Sequence, residues 1–157
     1  MKKIIFLFFL ASITSFAQNN YPSDYFRSPL DIPLRLAGTF GELRNNHFHA
    51  GIDIKTNRRT GLPVYATADG YISRIKVAIW GYGKVIYINH SNGFTTVYAH
   101  LNKFGNGIQE YVKSIQYEKK SYETGNIFLK ENQIKVTKGQ IIGYSGRTGG
   151  FVEPHLH

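Results

Sequence analysis

Two short motifs, separated by about one hundred residues, constrain most strongly what this chain can fold into. His155 and His157 lie near the end of the chain with one residue between them. In an extended strand, residues two positions apart project to the same face. His49 and Asp53 add an imidazole and a carboxylate four positions apart. Three nitrogen or oxygen donors that leave a fourth position open for water are typical of a catalytic zinc site. The motifs therefore predict a folded domain whose distant segments meet around one metal ion, as in a zinc hydrolase.

The first 17 residues have the pattern of a secretory signal peptide. Lys2 and Lys3 precede an apolar run over residues 4–10, and Ser15 and Ala17 supply small residues before the cleavage point. The apolar run is shorter than the roughly 20 residues that a membrane span needs, so retention as an uncleaved anchor is the weaker alternative. We expect export to the periplasm, the cell envelope or the extracellular space, with no stable membrane span.

Composition narrows the possible metal ligands and partners. The chain has no cysteine, which excludes disulfides, thiolate ligands and a lipidated N-terminal cysteine. Any metal must therefore be held by imidazole and carboxylate groups. The formal charge is +9, and it falls to +7 once Lys2 and Lys3 are removed with the signal. A basic exported protein suits an anionic cell wall or membrane surface, whereas export argues against nucleic acid as a partner.

The pattern of apolar residues predicts a mainly β domain. The chain of 157 residues is long enough for one domain with a core. After a polar, proline-bearing lead-in over residues 18–36, residues 37–157 show short apolar runs, rich in β-branched and aromatic residues, between glycine turns. Asn92-Gly93 predicts a hairpin, and Asp69-Gly70 and Lys138-Gly139 predict further turns. The predicted strands are residues 64–66, 71–78, 85–89, 95–100, 135–136 and 140–144. We expect an antiparallel β-sandwich or partial barrel.

One segment departs from the β pattern. Ile108, Tyr111, Val112 and Ile115 lie at helical spacing, with polar residues between them. This spacing predicts one short surface helix over residues 108–119. A polar loop is expected to follow over residues 122–126.

The sequence stops at His157, inside a predicted strand. A metal ligand on a terminal residue would fray, and its own α-carboxylate would compete for the metal. We therefore expect the domain to be incomplete at its C-terminus and the chain to be a fragment of a longer protein.

Further motifs accompany the histidines and the aspartate. In chain order they are His49-Ala50-Gly51-Ile52-Asp53-Ile54, Gly61-Leu62-Pro63-Val64-Tyr65-Ala66, Val85-Ile86-Tyr87-Ile88-Asn89-His90, Thr96-Val97-Tyr98-Ala99-His100-Leu101, Lys138-Gly139-Gln140-Ile141-Ile142-Gly143, Ser145-Gly146-Arg147-Thr148-Gly149 and Pro154-His155-Leu156-His157. From about Phe40 to the end, this order resembles the lysostaphin-type, LytM-like zinc metalloendopeptidases, a family of peptidoglycan endopeptidases with the duplicated hybrid motif fold.

The resemblance implies a role for each residue of the site. His49, Asp53 and His157 correspond to the ligands of one Zn²⁺ per domain, and His100 and His155 to the catalytic histidines beside a zinc-activated water. Zinc lowers the pKa of its water to about 7. A neutral imidazole can take the proton, and a protonated one can stabilise the oxyanion or protonate the leaving amine. The sequence does not assign these two tasks between His100 and His155.

Other residues are candidates for the substrate groove or for the core. His47 shares the face of His49 in a strand, but its spacing to Asp53 does not fit the motif. We therefore predict that His47 contacts the ligands or lines the groove and is not itself a ligand, and we expect His47, Tyr98 and Arg147 to bind substrate. His90, just before the predicted hairpin, is interpreted as structural. The glycines at 143–150 lack a following GK[ST] sequence and helix, which disfavours a phosphate-binding loop.

The resemblance implies an exported endopeptidase that hydrolyses peptide bonds in peptidoglycan stems or cross-bridges, with peptidoglycan peptides as its partner. One alternative is a non-catalytic wall-binding or regulatory module of the same fold. A swinging-arm carrier domain is disfavoured, because no suitable lysine lies at the tip of a hairpin between Val97 and Lys138. Which peptide bond is cut stays open.

Overall fold

Eleven β-strands and one α-helix make up the part of the chain that the computed structural model describes, residues 23–150 and 153–157. The strands are β1 (Leu36–Gly38), β2 (Asp53–Lys55), β3 (Pro63–Tyr65), β4 (Gly70–Val77), β5 (Lys84–Asn89), β6 (Thr95–Tyr98), β7 (Lys103–Phe104), β8 (Gly125–Phe128), β9 (Lys135–Val136), β10 (Ile141–Tyr144) and β11 (His155–Leu156). The helix α1 (Ile108–Lys119) lies between β7 and β8. The predicted signal peptide and the start of the predicted lead-in lie outside the described residues.

The strands form three sheets, and every pairing between the described strands is antiparallel. The strand orders are β1-β2-β11, β3-β10-β7 and β6-β5-β4-β8, and β9 also pairs with β4. Within the described residues the sheets stay open and do not close into a barrel. The predicted class, mainly β and antiparallel with a helical insertion, is confirmed.

All six predicted strands are present, with ends that differ from the prediction by at most two residues. The predicted hairpin joins β5 to β6, and Gly93 at its tip has φ +85°, a conformation that glycine adopts without steric cost. Strand β6 ends at Tyr98 instead of His100. The reason is that His100 has φ +56°, and this left-handed conformation cannot continue a strand.

The predicted polar loop over residues 122–126 is wrong at its C-terminal end, because β8 begins at Gly125. Within β8 only Ile127 is buried, whereas Asn126 and Phe128 are exposed. With one buried side chain, the sequence lacks the alternation that marks a strand. The strand forms because its backbone pairs with β4 at the edge of the sheet.

The helix occupies the predicted residues. Ile108 and Val112 are buried on its inner face, and Tyr111 and Ile115 pack against the core from the same side. At its start, the N–H of Gly107 donates to the Glu110 carboxylate at 2.5 Å, which satisfies one of the free N–H groups at a helix N-terminus. The helical spacing of the apolar residues was thus sufficient to predict this helix.

The core is built mainly from β4 and β5, whose inward residues Ile72, Ile75, Ile86 and Ile88 are fully buried. Leu30, from the predicted lead-in, is also buried in this core. The lead-in therefore packs against the domain although it has little regular structure of its own. Within the described residues, no helix combines the length and apolarity required to span a bilayer.

Candidate metal centre

The pairing of β2 with β11 brings the two sequence motifs together. His155 lies opposite Lys55 and Leu156 opposite Ile54, so continuation of this register places His157 beside Asp53. Leu156 turns into the core, 1% exposed, and the alternation of a strand then directs the histidines on either side of it to the opposite face. The shared face predicted from the spacing is present.

Three donor atoms converge on this face. The Nε2 atom of His49 lies 3.1 Å from Oδ1 of Asp53 and 2.9 Å from Nδ1 of His157. Nδ1 of His157 lies 3.0 Å from the same Asp53 oxygen. In a tetrahedral zinc site with bonds of 2.0–2.1 Å, ligand atoms are separated by about 3.3 Å. The side chains His49, Asp53 and His157 therefore fit a divalent metal ion with almost no rearrangement.

The charge states of Asp53 and His157 suit metal binding. Burial favours the neutral form of the Asp53 carboxyl, but the hydrogen bond from His157 and the nearby rings of His155 and His49 outweigh it and hold the pKa of Asp53 below its usual value. Burial is the main cause that lowers the pKa of the His157 imidazole. At neutral pH the centre thus offers a carboxylate and a neutral imidazole, the forms that ligate metals.

Contacts around the ligands orient them. Nδ1–H of His49 donates to the carbonyl of Thr39 at 2.9 Å, which leaves the Nε2 lone pair directed at the centre. The guanidinium of Arg44 donates to Oδ2 of Asp53, also at 2.9 Å. The sequence analysis identified neither Thr39 nor Arg44. No spacing rule would have found them, since both reach the site through the loop between β1 and His49.

His100 and His155 form a second pair beside the centre, with ring centroids 4.6 Å apart. Nδ1–H of His100 donates to the carbonyl of Thr148 at 2.9 Å, so its Nε2 carries a lone pair. Burial, followed by the neighbouring His155, lowers the pKa of His100 to about 4. His100 is therefore neutral at pH 7.

His155 is held differently. Its Nδ1–H donates to the carbonyl of Glu153 at 3.0 Å, and its Nε2 lies 3.7 Å from Oδ1 of Asp53. A backbone contact also links the segment that carries His100 to the end of β11, because the N–H of Ala99 donates to the carbonyl of His157 at 2.8 Å. The five predicted metal and catalytic side chains are thus gathered in one place.

A groove with a volume of about 690 Å³ opens over this site. One wall is formed by residues 43–47 and the other by Gly81 and Tyr82. The Tyr82 ring lies 4.9 Å from the ring of His157, and burial raises the pKa of its hydroxyl. His49, Asp53 and His157 therefore line an open groove and are not sealed inside the core.

The predicted substrate-binding residues occupy three different environments. His47 is exposed on the wall of the groove, outside the ligand cluster. Arg147 is exposed in a separate depression of about 540 Å³ that it shares with Arg58 and Pro154. Tyr98 does not reach the groove, and that prediction is wrong. Its side chain is 2% exposed in the core.

Tyr98 and His90 both have structural roles. The Tyr98 hydroxyl accepts the N–H of Thr67 at 3.0 Å and bonds the hydroxyl of the same residue at 2.8 Å. His90 is buried, with one ring nitrogen bonded to the Asp69 carbonyl and the other to Thr96. The structural interpretation of His90 is confirmed.

Comparison with known proteins extends the description. The sequence profile of Peptidase family M23 matches residues 47–117. The DD-carboxypeptidase/endopeptidase Mpg of Neisseria meningitidis serogroup B is 34% identical over an alignment of 128 residues that covers 78% of this chain and 23% of that protein. The peptidoglycan DD-endopeptidase ShyA of Vibrio cholerae is 30% identical over 83% of this chain and 26% of its own length. The chain therefore spans about a quarter of the length of the curated relatives it matches.

A solved structure is similar in fold as well. The catalytic domain of the antimicrobial peptidase lysostaphin from Staphylococcus simulans superimposes with a TM-score of 0.51 at 28% sequence identity. The match covers 76% of this chain and 71% of that domain. It includes enough of the chain to support a shared architecture.

Proposed function

Because the chain carries a peptidase family M23 domain, we propose that it is an exported zinc metalloendopeptidase that hydrolyses peptide bonds in bacterial peptidoglycan stems or cross-bridges. The observation that carries the proposal is the convergence of His49, Asp53 and His157, whose donor atoms lie 2.9–3.1 Å apart. Three protein ligands are the number that a catalytic zinc site uses while it keeps a position open for water.

The side chains beside the ligands supply the proton transfers. When bound, zinc would lower the pKa of water to about 7 and polarise a carbonyl. His100 is neutral at pH 7, and it is Nδ1 that bonds the Thr148 carbonyl, so we assign its Nε2 the task of accepting a proton. His155, more exposed and 3.7 Å from the Asp53 carboxylate, is assigned the donation of a proton to the leaving amine.

The substrate is inferred from charge and from the relatives. ShyA is a peptidoglycan DD-endopeptidase, and the basic charge of this chain suits an anionic polymer. His47 on the groove wall and Arg147 beyond Pro154 are the side chains that we expect to contact the peptide outside the reacting bond. A signal peptide over residues 1–17 would deliver the enzyme to this substrate.

The test is release of peptides from purified peptidoglycan, followed by mass spectrometry, together with the metal content of the protein. We expect one equivalent of zinc, and loss of release after chelation or in His49→Ala. His47→Ala is the control for metal content alone, because it removes an exposed imidazole outside the ligand cluster and should retain the metal; its effect on peptide release instead reports the expected substrate contact.

Two results would reject the proposal. Release that survives complete removal of metal would show that zinc is not required. A protein that binds no zinc and releases no peptide would favour the alternative, a non-catalytic wall-binding or regulatory module of the same fold.

A further inference from the structure

Arg44 belongs to a short hairpin over residues 42–49 that folds back over the metal centre. The N–H of Arg44 donates to the carbonyl of His47 at 2.9 Å, and the N–H of His49 donates to the carbonyl of Glu42 at 2.8 Å. These bonds place the Arg44 side chain against Asp53 of β2. We propose that Arg44 is a positioning residue that makes Asp53 a one-oxygen ligand of the metal, an inference that rests on the proposed zinc site.

The two oxygens of Asp53 face different groups. Oδ1 lies 3.1 Å from Nε2 of His49 and 3.0 Å from Nδ1 of His157. Oδ2 instead accepts from the guanidinium of Arg44 at 2.9 Å. A carboxylate can bind a metal through one oxygen or both. With Oδ2 directed at Arg44, Oδ1 is the oxygen that faces the other two donors, and we infer that the position a second oxygen would occupy stays open for water or substrate.

Arg44 is itself anchored through a chain of contacts that leads to a second ligand. Its guanidinium donates to the Glu42 carboxylate at 3.2 Å, and the same Glu42 oxygen accepts the N–H of Thr39 at 3.1 Å. The carbonyl of Thr39 in turn accepts Nδ1–H of His49. One network therefore orients both the carboxylate and an imidazole of the centre. Such outer contacts typically change metal affinity by 10–100-fold when they are removed.

The placement of Arg44 has a cost, since its Nε is buried and has no hydrogen-bond partner among the described residues. Buried polar groups are normally paired. The side chain thus leaves one donor unsatisfied while another of its nitrogens bonds Asp53. This arrangement is expected of a group retained for its effect on the carboxylate.

Gly38 provides an independent way to disturb the contact between Arg44 and Asp53. It lies opposite Asp53 in the pairing of β1 with β2. A Cβ atom at this position would lie 2.3 Å from Nη2 of Arg44 and 2.7 Å from Oδ2 of Asp53. Both are side-chain atoms, and the φ of Gly38 is not positive. Gly38→Ala should therefore displace the ion pair without altering either of its members.

The experiment compares Arg44→Met, Arg44→Lys and Gly38→Ala with the wild type, and uses Arg59→Met as a control because that arginine is exposed in a loop after β2. Zinc affinity is measured by competition with a chelating dye. Coordination is followed by the visible absorption of the Co²⁺-substituted protein, which is strong for four-coordinate and weak for higher-coordinate cobalt. Circular dichroism of each metal-free variant reports folding.

We expect Arg44→Met and Gly38→Ala to weaken zinc binding by about 10–100-fold and to weaken the cobalt absorption, as Oδ2 joins the metal. Arg44→Lys should have an intermediate effect, because lysine keeps the charge but replaces the flat guanidinium, whose Nη2 contacts both the Glu42 and the Asp53 carboxylates, by a flexible ammonium group. Arg59→Met should resemble the wild type.

The outcomes separate this inference from the function it rests on. If the wild type binds zinc and folded Arg44→Met or Gly38→Ala binds it equally well with an unchanged cobalt spectrum, the role of Arg44 is refuted and the proposed function stands. If the wild type itself binds no zinc, the proposed metal site fails and the inference fails with it. Should Arg44→Met not fold, Gly38→Ala and Arg44→Lys decide.

Discussion

The burial of His100 predicts that the metal-free protein loses stability in acid by a calculable amount. In the folded state the pKa of His100 is lowered from 6.5 to about 4, chiefly by burial. The unfolded chain therefore takes up a proton near pH 6.5 that the folded protein resists until about pH 4. The stability that this neutral ring contributes is fully present above pH 6.5, and it is lost as the pH falls from 6.5 towards 4.

The size of the effect follows from the pKa difference. Each pKa unit corresponds to 1.36 kcal/mol, so a difference of this size is worth about 3 kcal/mol. With a urea dependence of about 2 kcal/mol per molar, this loss would lower the unfolding midpoint by about 1.5 M. Such a shift is well resolved in an equilibrium titration.

The matched variant is His100→Asn. His100 has φ +56°, which asparagine tolerates better than most residues, and the asparagine amide can donate to the Thr148 carbonyl in place of Nδ1–H. The variant loses some packing at every pH but has no titrating ring at this position. His157, whose pKa is also lowered, is present in both proteins.

The assay is urea unfolding of both chelator-treated proteins at pH 7 and at pH 4. We expect the wild type to lose about 3 kcal/mol more than His100→Asn between these two values. Equal losses would refute the argument that His100 is buried as a neutral imidazole, and with it the assignment of His100 as the proton acceptor.

Two further predictions test the interpretation of the groove. Tyr98→Phe should destabilise the protein by about 1–3 kcal/mol, because the buried N–H of Thr67 loses its partner. The kcat/KM for peptide release should be unchanged. A fall in kcat/KM without a loss of stability would contradict the structural role of Tyr98. Trp80 is the only tryptophan in the sequence, and it is 73% exposed beside Gly81 and Tyr82. Its fluorescence should change when peptidoglycan peptides bind the metal-free protein. Unchanged emission at saturating peptide would exclude contact at this rim of the groove.

Local sequence patterns were sufficient to predict the helices and strands whose apolar residues repeat regularly. Helix α1 was predicted with its observed bounds, because Ile108 and Val112 lie on one buried face. The β5–β6 hairpin was predicted from Asn92-Gly93. Strands such as β8, with Ile127 as its one buried residue, carry too little signal. Their existence depends on a partner strand that is distant in sequence, and no local rule includes that partner.

The three proposed metal ligands were predictable for a different reason than their surroundings. His49, Asp53 and His157 occur in motifs whose chemistry is specific, so residue type and order were enough to group them. Arg44 is one of many charged residues near a turn, and its contact with Asp53 arises only from the path of the hairpin over residues 42–49. Tyr98 was misassigned because an aromatic residue in a strand has the same sequence signature whether it faces a groove or the core.

The register between β2 and β11 decides which side chains can form the centre at all. Strand pairing alternates faces, so a slip by one residue would turn every side chain of β11 to the opposite side. Ile54 and Leu156 lie opposite each other, and both are buried, 3% and 1% exposed. A slipped register would expose the apolar side chain of Leu156 and bury the polar side chains of His155 and His157 in the core. Each of these changes is unfavourable. The apolar pair behind the sheet therefore fixes the position of the proposed ligands in front of it, and hydrophobic burial stabilises the geometry that a bound metal would require.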